Sequence, residues 1–219
     1  MQPLIVTAAQ MKALEHAADS AGLSYRQMME NAGQAAFAAI RQTYPQHDTA
    51  VVFAGKGNNG GDGFVVARLL AAAGKRVRVI LCEGQPVTPD AQYNLGLLSD
   101  IPVLTLESLT EAQQDTLLCS DIIVDALYGT GFHGGLRPSG LHAAELINRA
   151  GGQVCALDLP SGINADTGAV AQGAVWAGLT ITFHARKQGQ SAPAAAAHCG
   201  TIQIVDIGIT AALRSNRAE

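Results

Sequence analysis

The sequence predicts an α/β protein in which helices cover both faces of a mostly parallel central sheet. Short apolar runs alternate with segments of helical spacing through residues 46–208, which is the order of repeated βαβ units. Runs such as 77–81, interrupted only by Arg78, and 122–124 lack a polar outer face, as expected of strands covered on both sides. A chain of 219 residues is long enough for one such unit, so we expect a single domain over residues 1–219.

Two helices are expected before the sheet. They are predicted at residues 7–21 and 24–44, within an amino-terminal helical region of residues 1–45. Thr7 and Ser24 each precede a glutamine by three residues, the spacing of a capping box, and the sequence that follows is rich in alanine. Gly22 separates the two helices.

The α/β core is predicted at residues 46–208, followed by a tail at residues 209–219. Its strands are expected at residues 50–54, 77–81, 103–106, 122–126 and 154–157, with 179–183 and 202–205 extending the sheet in a direction that the sequence leaves open. Thr88 before Pro89 predicts a helix start, and Ser108 with Glu111 predicts a further capping box. Each marks a crossover helix.

A glycine-rich segment, Gly-Lys-Gly-Asn-Asn-Gly-Gly-Asp-Gly at residues 55–63, joins the first core strand to a helical segment at 64–73. It satisfies the dinucleotide fingerprint G-x-G-x-x-G, and Glu83 follows at the end of the next apolar run. No Lys-Ser or Lys-Thr pair follows the glycines, which disfavours ATP hydrolysis. Asp62 suits ribose hydroxyls, an amide or a cation, or alternatively caps the helix.

Two more polar segments follow predicted strands. Residues 125–135 begin with an acid and contain several glycines, and residues 158–168 begin with Asp-Leu-Pro-Ser-Gly. Ligands of open parallel sheets bind beyond the carboxyl ends of the strands, where the strand order reverses. We therefore expect the three segments to converge on one site, with Asp158 as a strand-end acid that carries the chemistry.

The composition excludes several classes of partner. A net charge of −4 and a pI near 5.8, with no basic cluster, disfavour nucleic acid. The amino terminus lacks a basic region followed by an apolar stretch, and no segment approaches the ~20 apolar residues of a membrane span. We expect a cytoplasmic protein that does not bind membranes. The cysteines, predicted to be reduced, are Cys82, Cys119, Cys155 and Cys199.

The six histidines are far apart in sequence, which disfavours a zinc site. Oxygen atoms from Asn59, Asp125 and Ser161 would instead suit a hard cation, and a single carboxylate favours a weakly charged one such as potassium or sodium.

Several motifs together resemble the amino-terminal domain of the YjeF family, the NAD(P)H-hydrate epimerases. They are Glu-Asn-Ala-Gly at residues 30–33, Gly-Asn-Asn-Gly-Gly-Asp-Gly at 57–63, Asp-Ala-Leu-Tyr-Gly-Thr-Gly at 125–131, Asp-Leu-Pro-Ser-Gly at 158–162, then Thr182-Phe183 and Lys187. The motifs follow the family's order and cover most of residues 7–208. The resemblance implies a Rossmann-like three-layer α/β/α sandwich, and an isomerase that interconverts the R and S forms of hydrated NAD(P)H at ring carbon 6.

The resemblance also implies a set of site residues. Substrate contacts are expected from Asn58, Asn59, Gly60, Gly61, Asp62, Gly129, Thr130, Gly131, Phe132, His133, Gly134, Gly135 and Asp158. Asn59, Asp125 and Ser161 would hold one potassium ion, and Asp158 is our candidate catalytic residue, with a turn acid before Pro160 as the alternative. The role of His133 stays open. Lys187 is expected to be either a phosphate ligand or an exposed lysine, and this choice also stays open.

Many bacterial members continue into an ADP- or ATP-dependent dehydratase domain, so a separate or excised dehydratase is an expected functional partner. A homodimer through the alanine-rich helices is also consistent with the family. Two other functions stay open: an NAD(P)-dependent oxidoreductase, and a non-catalytic module for dinucleotide binding or protein interaction. The choice between NADHX and NADPHX is open as well.

Overall fold

The computed structural model describes residues 4–215. The chain begins with β1 (Ile5–Val6), α1 (Ala8–Ser20) and α2 (Tyr25–Thr43). The core follows as β2 (Thr49–Ala54), α3 (Asn58–Ala72), β3 (Arg76–Leu81), α4 (Pro89–Gly96), β4 (Val103–Thr105), α5 (Glu111–Leu118), β5 (Ile122–Ala126), α6 (Pro138–Arg149) and β6 (Gln153–Leu157). The last elements are β7 (Leu179–Phe183), β8 (Arg186–Lys187), α7 (Pro193–Cys199), β9 (Thr201–Val205) and α8 (Ile209–Ser215), with 3-10 helices at Leu106–Ser108 and Gln188–Ser191.

The central sheet has seven strands in the order β4-β3-β2-β5-β6-β7-β9, and every pairing in it is parallel. The last two strands, whose direction the sequence left open, are therefore parallel to the others. Strand order reverses at β2, which has β3 on one side and β5 on the other. This register places the carboxyl ends of β2, β5 and β6 side by side.

Alternate residues of the buried strands pack into different layers. In β2, Val52 and Ala54 belong to a core shared with α2, α3 and α4, whereas Val51 and Phe53 belong to a core shared with α5 and α6. The alternation follows from the two-residue period of a strand. Helices thus cover both faces, which confirms the three-layer sandwich predicted from the sequence.

The two amino-terminal helices form where they were predicted. The Thr7 side chain accepts a hydrogen bond from the Gln10 amide at 3.1 Å, and the Gln10 side chain accepts one from the Thr7 amide at 2.8 Å, which completes a capping box. The box predicted at Ser24 forms only in half: the Ser24 side chain accepts from the Gln27 amide, but the Gln27 side chain donates to Asn31 Oδ1 and does not bond the Ser24 amide. The caps satisfy N–H groups that would otherwise lack partners at each helix start.

The capping box predicted at Ser108 and Glu111 is wrong by two residues. The Ser108 hydroxyl donates to the Thr105 carbonyl inside a 3-10 helix, and the box that begins α5 is formed by Thr110 and Gln113. A 3-10 helix uses the serine locally, so the next threonine takes the capping position.

Three further features differ from the sequence prediction. Helix α3 begins at Asn58, inside the predicted glycine-rich loop, and its amino-terminal cap is Gly57, so Asp62 is interior to the helix and does not cap it. Residues 209–215 of the predicted tail form α8, which buries Ile209 and packs against α1; residues 216–219 lie outside the described part. Strands β1 and β8 pair in a separate two-stranded sheet that is too short to show a sequence pattern.

Candidate functional site

A cavity of about 490 Å³ lies at the carboxyl ends of β2, β5 and β6, and α1 and α2 contribute side chains to its wall. This volume is within the ~300–1,000 Å³ range of small-molecule sites. The predicted site residues that line it are Asn58, Asn59, Asp62, Gly129, Thr130, Gly131, Phe132 and Asp158. The structure therefore brings residues from all three predicted segments to one cavity.

Five predicted substrate contacts do not line this cavity. Gly60 and Gly61 are buried, whereas His133, Gly134 and Gly135 are exposed on the segment that follows Phe132. The His133 ring nitrogen Nδ1 lies 3.1 Å from the Asn164 amide nitrogen. Contact between these five residues and a ligand stays a prediction.

The buried glycines of this motif allow close packing at the start of α3. A Cβ on Gly60 would lie 2.0 Å from the Gly55 carbonyl oxygen, and a Cβ on Gly61 would lie 2.6 Å from the Met29 sulfur. Real Cβ atoms do not approach other atoms so closely. Gly60 is therefore required by the packing of α3 against the end of β2, whereas a Cβ on Gly61 would need the flexible end of the Met29 side chain to move.

Asp158 and Lys187 form a buried ion pair at the cavity. The Lys187 ammonium lies 2.5 Å from Asp158 Oδ1 and donates to the Phe183 carbonyl at 2.8 Å and to the Thr182 hydroxyl at 3.2 Å. Lys187 is 1% exposed. The sequence left Lys187 as a phosphate ligand or an exposed lysine, and the second of these is wrong because the ion pair buries it.

The backbone of Asp158 is also constrained. Its φ of 67° lies in the left-handed region, which is uncommon for a residue other than glycine. Its amide donates to the Ile181 carbonyl at 2.8 Å, and its carbonyl accepts from the Gln190 side chain at 3.0 Å. Such strain persists only where the surroundings over-determine it, and it is concentrated at functional sites.

The second Asp158 oxygen, Oδ2, is directed toward Gly129. A Cβ built on Gly129 would lie 3.1 Å from Oδ2 and 3.6 Å from Asn59 Oδ1. One residue from each of the three segments therefore meets at this point, and the absence of a side chain at Gly129 leaves space beside the carboxylate.

Asp125 and Ser161 form a buried polar pair below the cavity and do not line it. The Ser161 hydroxyl donates to Asp125 Oδ1 at 2.6 Å, the Ser161 amide donates to Oδ2 at 2.7 Å, and the hydroxyl accepts from the Tyr128 amide at 3.0 Å. Burial raises the pKa of Asp125 to about 6, against the lowering effect of these hydrogen bonds. The pair ties the segment after β6 to the end of β5.

The residues predicted to hold a cation have the donor chemistry for a weakly charged one. Within residues 4–215, the buried amide oxygen and nitrogen of Asn59 have no hydrogen-bond partner. A buried polar atom without a partner is costly, so an unpaired side-chain oxygen indicates a missing ligand or water. Asn59, Asp125 and Ser161 offer only hard oxygen donors and one carboxylate, which fits a monovalent cation.

Besides Asp158, Glu83 and Asp90, the carboxyl groups of Glu15 from α1 and Asp62 from α3 line the cavity. Burial, followed by the nearby Asp158 charge, raises the pKa of Glu15 to about 6. The same two causes, in the same order, raise the pKa of Asp62 well above its ordinary value. Both groups are therefore shifted toward the protonated form at the cavity surface.

Glu83 does not present a free carboxylate to a ribose, as the dinucleotide fingerprint had suggested. Its Oε1 accepts from the Tyr128 hydroxyl at 2.8 Å, and Arg137 donates to both carboxylate oxygens at 3.0 and 3.1 Å. Burial and the Glu83 carboxylate raise the pKa of Tyr128. The arginine and the tyrosine thus use three of the roughly four acceptor positions of this carboxylate.

Comparisons with known proteins show the family and the fold of the chain. The family described as YjeF-related protein N-terminus matches residues 25–189. This chain belongs to that family. A crystal structure of the yeast protein YNL200c superimposes with a TM-score of 0.76 at 21% identity, covering 94% of this chain and 88% of the yeast chain, which shows the same fold.

Relatives of two lengths are similar to the chain. The bifunctional NAD(P)H-hydrate repair enzyme Nnr of Pyrobaculum aerophilum is 39% identical over 93% of this chain, which covers 42% of that relative. The NAD(P)H-hydrate epimerase of Limosilactobacillus fermentum is 34% identical over 92% of this chain and 95% of that protein. The same-named protein of Levilactobacillus brevis is 36% identical over 93% of both. The chain thus spans about two fifths of the bifunctional relative and nearly all of the two epimerases.

Sequence reasoning missed several residues of this family member's cavity. Glu15 follows Met11 by one helical turn, on the face of α1 that also buries Ala18. An acid on an otherwise apolar helix face is a pattern from which a site residue could have been predicted. Arg137 gave no signal, because its partner Glu83 is distant in sequence. Trp176 is 56% exposed, stacks on the His198 ring and does not line the cavity.

Within residues 4–215, no helix is both long and apolar enough to cross a membrane.

Proposed function

We propose that this chain epimerises hydrated NAD(P)H at ring carbon 6 and so repairs a damaged cofactor. The observation that carries the proposal is the Asp158 carboxylate, held by Lys187 on one oxygen and directed by the other toward Gly129 in a cavity at the reversal of strand order. The two relatives of similar length that are named NAD(P)H-hydrate epimerases support the same activity.

The chemistry needs proton transfer and no oxidation. The lone pair of the ring nitrogen beside carbon 6 can expel the hydroxyl or open the ring, and both routes require a proton to be moved at that oxygen. Asp158 Oδ2 is the group placed to move it, because Oδ1 is occupied by the Lys187 ammonium and the Thr182 hydroxyl. The ion pair also fixes the carboxylate orientation, which reduces the reorganisation needed during reaction.

The dinucleotide would lie along the glycine-rich segments. The first turn of α3, from Asn58, offers N–H groups that favour phosphate oxygens. A protonated Asp62 can donate a hydrogen bond to a ribose hydroxyl or an amide, which removes the conflict between a carboxylate and a nearby phosphate. Residues 129–135 would cover the other side of the ligand, and the exposed His133 to Gly135 stretch would join the site when the ligand is bound.

One potassium ion held by Asn59, Asp125 and Ser161 is part of the proposal. The orphaned Asn59 amide and the buried Asp125 carboxylate support it. When bound, such an ion would supply positive charge that balances the buried carboxylate. Asn59, Asp125 and Ser161 would then tie the starts of the three ligand-binding segments together.

The cellular location of the reaction, its partner enzyme and the oligomeric state are proposed as well. We infer a cytoplasmic enzyme that acts on a small dinucleotide and works with an ADP- or ATP-dependent dehydratase, either as a separate protein or as a second domain. The bifunctional repair enzymes among the relatives support a linked second activity. A homodimer through α1 and α2 is also proposed, and the molecular mass in solution would test it.

The activity is tested by incubating the protein with each purified hydrate epimer and following the other epimer chromatographically. We expect the mixture to approach the same ratio from both sides faster than in buffer alone, and to do so more slowly when sodium replaces potassium. Tight binding without faster exchange would indicate a non-catalytic module, and oxidation of the intact cofactor would indicate an oxidoreductase. Either result would overturn the proposal.

A further inference from the structure

Helix α1 places one acid, Glu15, in the cavity wall. The helix is anchored at its start, where the Ala8 amide donates to Asp166 Oδ1 at 2.6 Å beside the Thr7 capping box. Met11, one turn before Glu15, is buried and lines the same cavity. Glu15 is therefore carried on a fixed element whose neighbouring side chains are packed.

Among the described residues, Glu15 and Asp62 are the two acids of the cavity without a protein partner, and the proposed function assigns Asp62 to a ribose hydroxyl or an amide of the ligand. Glu83 is occupied by Arg137 and Tyr128, Asp90 is paired with Arg26, and Asp158 is paired with Lys187. Within residues 4–215, the half-buried Glu15 carboxyl makes no hydrogen bond or ion pair with a protein group. The carboxyl is therefore free to meet a group of a ligand bound in the cavity.

The charges around Glu15 suit a group that exchanges protons. Burial and the Asp158 carboxylate raise its pKa to about 6, while Lys187 from β8 and Lys12 on its own helix act in the opposite direction. A carboxyl that titrates close to neutral pH can both donate and accept a proton during turnover.

Inversion at a carbinol carbon sets a geometric requirement. If the hydroxyl leaves carbon 6 from one face of the ring and water adds to the other, a proton must be given on the first face and taken on the second. Asp158 is fixed by Lys187 and by its own strained backbone, so it cannot serve both faces of a bound ring. A second acid–base group from a different element meets the requirement.

We propose that Glu15 is a second catalytic acid–base residue, acting on the face of the nicotinamide ring that Asp158 does not reach. The inference rests on the proposed epimerase function. In one direction, protonated Glu15 gives its proton to the departing hydroxyl, the bond from carbon 6 to oxygen breaks, and the nitrogen lone pair forms a double bond to carbon 6.

The second half of the step forms the hydrated cofactor again, as the other epimer. A water molecule adds its oxygen to carbon 6 from the opposite face, the electron pair of the double bond returns to nitrogen, and Asp158 takes the proton that the water loses. One water leaves and one enters, so atoms and charge balance, and the reverse direction exchanges the two roles. Proton exchange with solvent then resets both carboxyl groups.

The first test compares three variants in the chromatographic exchange assay. Glu15→Gln should lower the rate by about 100-fold or more in both directions. Glu15→Asp, which keeps the carboxyl on a shorter side chain, should retain an intermediate rate. Asp19→Asn, on the exposed face of the same helix, should match the wild type. A Glu15→Gln rate within threefold of the wild type would overturn the inference, provided that circular dichroism shows a folded protein.

The second test uses the origin of the oxygen and does not depend on any variant. In ¹⁸O-labelled water, addition to the opposite face predicts one labelled oxygen at carbon 6 per epimerisation, measured by mass spectrometry at early times and corrected for the uncatalysed exchange. Retention of the original oxygen would indicate ring opening on one face and would remove the role of Glu15. If the wild type does not interconvert the epimers at all, the proposed function fails as well; if it does so and Glu15→Gln is unaffected, only this inference fails.

Discussion

At the scale of the residue, Asp158 combines an unusual backbone conformation with a buried ion pair. The left-handed φ directs the side chain to the cavity, and Lys187 holds Oδ1 while Oδ2 stays free. An acid serving only as a turn residue before Pro160 would not need a buried lysine. These features favour a catalytic role over the alternative that the sequence left open.

Replacing Asp158 with Asn should lower the epimerisation rate by about 10²–10⁴-fold, because the amide cannot accept the proton. The variant leaves the buried Lys187 ammonium without its counter-charge and should lose stability. Lys187 keeps its hydrogen bonds to Phe183 and Thr182, so we expect the fraction that circular dichroism shows to be folded to bind intact NAD(P)H, as measured by calorimetry. Asp115→Asn on the exposed surface of α5 is the matched control. An unchanged rate in Asp158→Asn would remove Asp158 from the mechanism.

Removing Lys187 should act mainly on stability. Lys187→Met leaves the Asp158 carboxylate buried without its partner, and we expect the free energy of unfolding in urea to fall by about 3–5 kcal/mol. The double variant Asp158→Asn with Lys187→Met should recover part of that loss, because no buried charge is left unpaired. A double variant as unstable as the sum of the two single variants would show that the pair is not coupled.

The raised pKa of Glu15 predicts how the free energy of unfolding depends on pH. Its pKa in the folded protein, about 6, lies above the ordinary value of 4.5, so its contribution is fully present below pH 4.5 and is lost as the pH rises through about 6. Glu15→Gln cannot titrate there. Between about pH 4 and about pH 8, its unfolding free energy relative to the wild type should therefore increase, by about 1 kcal/mol. A constant difference would place the carboxyl in an environment like that of water.

At the scale of the element, the start of α3 lies inside the glycine-rich segment, which the sequence predicts as a loop. Its motif and its position after β2 were correctly predicted, but the helix begins within the motif at Asn58. Several glycines in the first turns oppose helix formation by local propensity. Contacts that the sequence does not display, above all with Gly55 and Met29, outweigh that preference.

The glycines of this element should therefore respond differently to substitution. Gly60→Ala would place a Cβ against the Gly55 carbonyl and should lower the unfolding free energy by about 1–3 kcal/mol or more. Gly57→Ala, which meets nothing within 4 Å, should cost less than about 1 kcal/mol as a changed helix cap. Equal losses in thermal or urea unfolding would contradict the packing role of Gly60.

The strands could be predicted from local sequence patterns, whereas the ion pairs of the cavity depend on tertiary contacts. Strands such as β5 and β7 were placed correctly because a buried run of apolar residues is visible in the sequence. The pairing of Lys187 with Asp158 and of Glu83 with Arg137 depends on how distant elements meet, which no local pattern encodes. For this reason the position of the cavity was predicted and the charge pairing within it was not.

At the scale of the whole molecule, the parallel sheet is what assembles the site. All seven strands run in one direction, and the reversal of order at β2 opens a space beside the carboxyl ends of β2 and β5. Helices α1 and α2 then close that space from the side with Glu15, Met28 and Met29. The two amino-terminal helices are thus part of the cavity wall as well as of the core.

We infer that hydrated NAD(P)H is turned over in this cavity, with its reactive carbon next to Asp158. The most direct measurement is a crystal structure of the Asp158→Asn variant soaked with the hydrated cofactor. We expect density for the dinucleotide along the starts of the glycine-rich segments, with ring carbon 6 or its hydroxyl within about 3.5 Å of the residue 158 side chain. A nicotinamide ring bound outside the cavity, or directed away from residue 158, would contradict it.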